Sequence, residues 1–412
     1  MSETADVIVV GSGIIGASIG YQMKRHGVGR VAVLDKAPGP AEGSTGASSS
    51  ICRCRYTNPE VVRLAYHGQE AYGNWREFTG LDEPHSGLNR VGVLWMTFEP
   101  AELVEAEVAR LRAQGVAAQA LIPAEVRDRF PALSAEPAPP EVIGAAHPFP
   151  EAELFMFEGG GGYADPAGAN QDLVAATRNL GAGVRFGVEV VGVTRENGGR
   201  ITGVELADGT RMSADLVINA AGPWCNRLNA MAGVDLRWTL TPTRIQTLYR
   251  PWPADLGPLP VAADLSTGLY FRPESGGRRV LVGSVLPEDE TEVVDDPDHF
   301  KMSPDADFRT IKMAAFHLRI PALAAMGEVT GIAGLYTINR EDVHPVLGPA
   351  GVDGFWVANG FSGHGFKLAP AVGSMMATAY TGVRLPFDTD VDMSFFSADR
   401  EPIGVAVKNV LA

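Results

Sequence analysis

Short apolar runs alternate with amphipathic stretches along this chain, and their order predicts its architecture. Asp6-Val7-Ile8-Val9-Val10 is an unbroken β-branched run, the pattern of a strand buried on both faces in a parallel sheet. Gly11-Ser12-Gly13-Ile14-Ile15-Gly16 follows, and a helical stretch then reaches about His26, with Gly27 as its stop. Val31-Ala32-Val33-Leu34 is the second strand and ends at Asp35, completing a β-α-β unit. Apolar spacing predicts a helix over 59–78 and a strand over 87–96. It also predicts a surface helix over 101–114, with acidic residues early and arginines late, as the helix dipole favours. The stretch 131–150 is proline-rich and reads as irregular. Pro166 opens a helix to about Leu180. Strands around 188–195 and 200–206 are joined by a hairpin-type turn, Glu196-Asn197-Gly198-Gly199. Leu216-Val217-Ile218-Asn219 is another buried strand. From about Leu236 to Gly283 strands alternate with Pro and Gly breaks. An acidic stretch, 288–298, reads as a solvated loop, and 304–319 as a helix. The α/β pattern then returns: a strand near Tyr336, a strand over 355–357, a glycine-rich turn, and a helix from about Ala369.

At 412 residues the chain calls for two packed units. The interrupted and resumed pattern predicts a mixed α/β (α+β) fold. A Rossmann-like nucleotide-binding domain would be assembled from 1–80, 151–232 and 330–412. A discontinuous mixed-sheet substrate domain would take 81–150 and 233–329. A net charge of −15 excludes a nucleic-acid partner, since a phosphate backbone needs a basic face. Three cysteines, Cys52, Cys54 and Cys225, are too few for a disulfide framework and suit a reducing cytoplasm. Cys52 and Cys54 have no second Cys/His pair near them, so no metal site is expected. An acidic start running into a strand, and no apolar run of about 18 residues, predict neither a secretory leader nor a membrane segment.

The glycine fingerprint sits where its chemistry requires. Gly11 permits a tight turn, Gly13 lets backbone approach a pyrophosphate, and Gly16 lets helix and strand pack closely. The helix N-terminus offers unpaired N–H groups to the anion, and Asp35 would accept from a ribose. The fingerprint alone does not separate FAD from NAD. The α/β pattern, broken and resumed at 216–222 and 355–365, suits a flavin laid across two domains.

These segments resemble the FAD-dependent D-amino-acid oxidase superfamily, in its sarcosine oxidase / dimethylglycine dehydrogenase-like branch. The likeness covers nearly the whole chain. Its carriers are Val10–Gly16 with Asp35; Gly43-Ser44-Thr45-Gly46-Ala47-Ser48; Gly162-Tyr163-Ala164-Asp165-Pro166; Asn219-Ala220-Ala221-Gly222-Pro223-Trp224; Asp342-x-x-Pro345-x-x-Gly348; and Asn359-Gly360-Phe361-Ser362-Gly363-His364-Gly365-Phe366-Lys367. The resemblance implies that FAD is held by Gly11, Ser12, Gly13, Ile14, Ile15, Gly16, Asp35 and Lys36. It adds Ser44, Thr45, Ala47, Ser48 and Ser49 along the flavin, Val190 near the adenine, and Ala221, Gly222 and Trp224 beneath the cofactor. Gly360, Phe361, Ser362, Gly363, His364, Gly365, Phe366 and Lys367 would wrap the ring system. Relatives that bind flavin covalently use a His in the early Gly/Ser loop or a Cys before a Tyr-Thr pair. Here that loop has no His and Gly334 precedes Leu335-Tyr336-Thr337, so FAD is expected to be non-covalent, with Cys52 and Cys54 the nearest thiols.

The same likeness assigns the catalytic candidates Arg53, Lys367, Tyr270 and His364. Arg53 and Lys367 would clamp a substrate carboxylate through charge-assisted hydrogen bonds. Arg55 competes with Arg53 for that role; the plain alternative for Arg53 is a surface or flavin-phosphate salt bridge, and for Lys367 a solvent-facing residue at a helix N-terminus. Tyr270 reads equally as an ordinary strand aromatic, and His364 as a backbone-bonded structural histidine. His344, before Pro345 in a loop, is not expected to function. Sarcosine-type oxidases carry a Lys that assists reaction with oxygen. The matching region here, 278–283, has none: Leu281 falls at that place, Val285 falls where a His usually follows, and Arg278 or Arg279 are the candidate substitutes. The expected reaction is oxidation of the C–N bond of a carboxylate-bearing secondary or tertiary amine or amino acid. Electrons would pass to O2 or to an unidentified carrier. Two rival readings stay open: a 2-hydroxy-acid dehydrogenase with His364 as base, and a non-catalytic flavin-binding assembly protein.

Overall fold

A computed structural model describes residues 3–137, 150–196, 199–323, 327–405, 408 and 411. Two large sheets carry the molecule. The first has six strands in the order Val346–Pro349, Phe355–Asn359, Leu216–Asn219, Val7–Val10, Val31–Leu34 and Gly183–Arg185. Its pairings are parallel except at Val346–Pro349. The unalternated apolar runs lie at its centre, where both faces are covered, as their pattern demands. The second sheet has eight strands: Thr330–Asn339, Leu240–Pro251, Arg279–Ser284, Leu269–Glu274, Val261–Asp264, Val93–Met96, Phe155–Glu158 and Ala118–Leu121. Phe155–Glu158 and Thr330–Asn339 pair in this second sheet, although the segments that contain them were assigned to the nucleotide-binding unit. The chain therefore crosses between sheets through the glycines at 159–162 and again after Asn339.

Helix Ile14–Arg25 packs along helix Gly365–Thr381, with the Gly373 backbone against Ser18, where a Cβ would come within 2.4 Å of the Ser18 hydroxyl. Three elements depart from expectation. The helix over 59–78 is two helices, Pro59–Gly73 and Trp75–Thr79, broken at Asn74, whose ψ of 38° is not helical. The strand over 87–96 shrinks to Val93–Met96, because Gly92 takes φ +78° with the Phe157 ring packed against its bare face. The last helix starts at Gly365, ahead of Ala369, and carries Pro370 inside it. Pro370 frees the Phe366 carbonyl, and the Tyr72 hydroxyl donates to that oxygen at 2.9 Å. This bond fixes the helix start to helix Pro59–Gly73. The acidic stretch 288–298 is a solvated loop only in part: Glu290 is buried, and Asp296 and Asp298 are ion-paired. The turn residues Asn197 and Gly198, and the core of the proline-rich stretch, 138–149, lie outside the described residues.

Candidate active site

A cleft of about 490 Å³ opens at the carboxyl ends of the parallel strands, at the N-termini of helices Ile14–Arg25 and Gly365–Thr381. Neither helix is capped by the side chain of its own N-cap residue, so both point N-terminal backbone N–H groups there, with the first, Ile14, taken by the Thr45 hydroxyl. The glycines behave as their spacing predicts. Gly11 has φ +100°, and a Cβ on it would meet the Ala220 carbonyl at 2.4 Å. A Cβ on Gly16 would lie 1.9 Å from the Gly11 carbonyl, so only glycine lets the helix close on the turn. Asp35 orders the loop: it accepts from the Ser12 N–H at 2.6 Å and the Ala37 N–H at 2.8 Å.

Most residues expected at the cofactor do line this cleft: Gly11, Gly13, Ile14, Ile15, Asp35, Lys36, Ser44, Thr45, Ser48, Val190, Ala221, Gly222, Trp224, Gly360, Phe361, Ser362, Gly363, Gly365 and Phe366. Ser12 and Gly16 stand behind its wall, shaping the turn. Ala47 and Ser49 face a narrow adjoining space together with Tyr270 and Tyr336. His364 and Lys367 also lie outside the lining. Glu42, Arg227 and Tyr336 line the cleft and went unrecognised. Arg227 had a signal, a cation three residues after Trp224 in the short helix Cys225–Met231.

The residues present suit a dinucleotide. The Ser44 hydroxyl is buried at the cleft without a partner among the described residues. A Cβ on Gly13 would sit 3.2 Å from the Thr45 hydroxyl, which itself accepts from the Ile14 N–H at 2.9 Å. Two open helix ends serve a pyrophosphate, a carboxylate serves a ribose, and apolar walls serve ring systems. Across the mouth runs a strap, residues 296–298. Asp298 accepts from Trp224 Nε1 at 2.9 Å, from Arg227 at 2.6 Å and from Lys36, and Asp296 takes the other arm of Arg227 at 2.5 Å.

Beyond the inner end of the cleft lies a buried polar cluster. Arg53 and Lys367 are each 5% exposed. The Arg53 guanidinium carbon lies 4.2 Å from the centre of the Tyr56 ring and 5.3 Å from that of Trp95. Lys367 Nζ lies 6.0 Å from the Tyr56 ring centre and makes no ion pair among the described residues. Burial, then the nearby Arg53 charge, brings the Lys367 ammonium down to about 7. Tyr56 and His364 share a hydrogen bond of 3.0 Å through the hydroxyl and Nδ1. Burial, with Lys367 next, holds the imidazole well below its ordinary range and therefore neutral. Glu158 closes the far side, accepting from the Cys54 N–H at 2.7 Å and from Trp95 Nε1 at 2.8 Å.

Arg55 is directed elsewhere, onto Glu107 at 3.2 Å. Tyr270 packs its ring on Gly283, and burial lifts its hydroxyl to about 12. His344, given no role from sequence, is buried with its ring 6.0 Å from that of His364. Leu281 and Val285 join Tyr270 in an apolar cluster. Arg278 is exposed, and Arg279 bonds Thr330 at the surface, so neither reaches the cleft. The buried cation this hairpin does supply is Arg272, 1% exposed, which donates to the Ser49 carbonyl at 2.6 Å.

The FAD dependent oxidoreductase (DAO) family model matches residues 6–379, and the chain belongs to that family. It is 29% identical to glycine oxidase of Pseudomonas putida, over 91% of this chain and 94% of that one. It is 28% identical to FAD-dependent oxidoreductase domain-containing protein 1 of Bos taurus, over 91% and 81%. L-proline dehydrogenase of P. horikoshii shares its fold, with a TM-score of 0.81, 23% identity, and coverage of 97% of this chain and 98% of that one. The protein is thus an FAD-dependent flavoenzyme of mixed α/β fold.

Proposed function

We propose that this enzyme oxidises the C–N bond of an amine or amino acid that carries a carboxylate. The carrying observation is the pair Arg53 and Lys367: two buried cations next to the segments that line the cleft, with Lys367 unpaired among the described residues. Buried like charges are costly, and a bound carboxylate offsets both. Relatives bear names of amine oxidation, including dimethylglycine dehydrogenase of Homo sapiens (25% identical, over 94% of this chain and 43% of that one).

FAD would rest on the Gly11–Gly16 turn, Asp35, the 44–48 loop and the Gly360–Phe366 segment. When bound it supplies a two-electron oxidant that takes hydride. The chain's own residues do the rest. Arg53 and Lys367 orient the substrate by its carboxylate. The substrate nitrogen must enter neutral, because its lone pair forms the C=N bond as hydride leaves the adjacent carbon. Neutral His364 avoids adding a third positive charge beside that nitrogen. Water then hydrolyses the imine. We infer non-covalent FAD: Cys52 and Cys54 are buried outside the cleft lining, and desolvation pushes the Cys52 thiol up to about 12, far from a reactive thiolate. A Cβ on Gly334 would fall 2.5 Å from the Ala47 methyl, leaving no room for a linking side chain. Three unpaired buried thiols also favour a reducing compartment.

The test is anaerobic flavin bleaching by a panel of N-methyl amino acids, primary amino acids and 2-hydroxy acids, followed by air. Bleaching by amino compounds is expected. Bleaching by hydroxy acids alone would replace the reading, with His364 as base, and no bleaching at all would favour the assembly role. Return of colour in air identifies oxygen as acceptor, and its absence identifies a carrier.

A further inference from the structure

Tyr56 stands beside Arg53, Lys367 and His364 yet has no assigned role. Its side chain is 1% exposed. One ring face takes the Arg53 guanidinium at 4.2 Å, Lys367 Nζ lies 6.0 Å from the ring centre, and the hydroxyl meets His364 Nδ1 at 3.0 Å. Its carbonyl accepts from Arg110 at 2.7 Å, and Arg110 is itself gripped by Glu107 at 2.7 and 2.8 Å. Tyr56 is therefore held at both ends. We infer that Tyr56 is the positioning residue of this site: its π face holds Arg53 close to Lys367, and its hydroxyl sets the orientation and tautomer of His364. This inference rests on the carboxylate-bearing amine reading.

Two like charges brought together away from water repel, and the negative face of an aromatic ring is the uncharged group that offsets this. Arg53 also donates to the Arg55 carbonyl, and Glu158, which accepts from the Cys54 and Arg55 N–H groups and Trp95, attracts it from the far side. The hydroxyl acts separately. Burial lifts it to about 12, so it stays protonated. It meets His364 Nδ1, and a hydroxyl that donates there would leave the imidazole proton on Nε2. Nε2 is buried with no partner among the described residues and is left for whatever occupies the site.

The experiment is stopped-flow flavin reduction by an N-methyl amino acid and by its methyl ester, in wild type, Tyr56→Phe and Tyr56→Leu. Bound flavin per chain is checked first. Tyr56→Phe keeps the ring, so the apparent Kd for the acid stays at the wild-type value while the limiting rate falls. Tyr56→Leu loses the ring, so the Kd for the acid rises roughly tenfold or more while that for the ester does not change. Wild-type acid selectivity retained in Tyr56→Leu overturns the positioning role alone. If Tyr56→Leu does not hold flavin, Tyr56→Phe decides: an unchanged limiting rate, or a weakened acid Kd, overturns it. Wild type that takes acid and ester equally removes the carboxylate reading and this inference with it.

Discussion

Burial and the Arg53 charge bring the Lys367 ammonium to about 7, so this side chain changes charge close to neutral pH. Its folded value lies below its ordinary 10.5. In the free site Lys367 is therefore charged below about 7 and loses its charge as pH rises through that value. Binding of a simple unreactive carboxylate such as acetate should be flat below pH 7 and weaken by up to tenfold per unit above it, followed by flavin absorbance. In Lys367→Met that slope should vanish. The same variant should raise the KM for a carboxylate-bearing amine by about ten- to a hundredfold, the worth of one charge-assisted hydrogen bond in a dry site. It should also melt slightly higher, by about 1 °C for each kcal/mol of relieved burial cost in a chain of this length. A lower Tm with unchanged KM would make Lys367 structural. The sequence placed Arg53, His364 and Lys367 near one another only through a family likeness. No local pattern shows it, since Tyr56 and His364 are 308 residues apart and meet only when helix Gly365–Thr381 packs on helix Pro59–Gly73.

At the scale of elements, the fingerprint was legible because its constraint is local. The spacing of Gly11, Gly13 and Gly16 encodes a turn that a single Cβ blocks. Gly16→Val should give folded protein that retains little flavin, because its side chain meets the Gly11 carbonyl. Full flavin content would refute this packing argument. The start of the last helix was less legible, because Pro370 reads as a helix boundary. The structure carries the helix past it by giving the freed Phe366 carbonyl to Tyr72, 294 residues away in sequence. The acidic stretch was read as solvated because charge alone does not reveal partners. Lys36, Trp224 and Arg227 come to Asp296 and Asp298 across 69 to 262 residues of chain. This strap spans the cleft mouth, so Asp298→Ala should release FAD faster, measured by recovery of flavin fluorescence on dilution. Salt should speed release from wild type and hardly affect the variant. Equal rates at low salt would show that the strap does not guard the cleft.

For the whole molecule, the two-sheet plan explains why chemistry sits between units. The six-stranded sheet presents two open helix ends, and the eight-stranded sheet presents Tyr270, Tyr336 and Arg272 toward them. Segment boundaries were blurred in the sequence because Phe155–Glu158 and Thr330–Asn339 leave one sheet's neighbourhood to pair in the other. No helix among the described residues is long and apolar enough to cross a membrane. The central claim is that this flavoenzyme recognises an amine by its carboxylate. The most direct test is the rate of anaerobic bleaching of wild-type protein by an N-methyl amino acid against its methyl ester. The account predicts that the acid bleaches the flavin at far lower concentration than the ester. Equal bleaching by both, or bleaching by the ester alone, would contradict it.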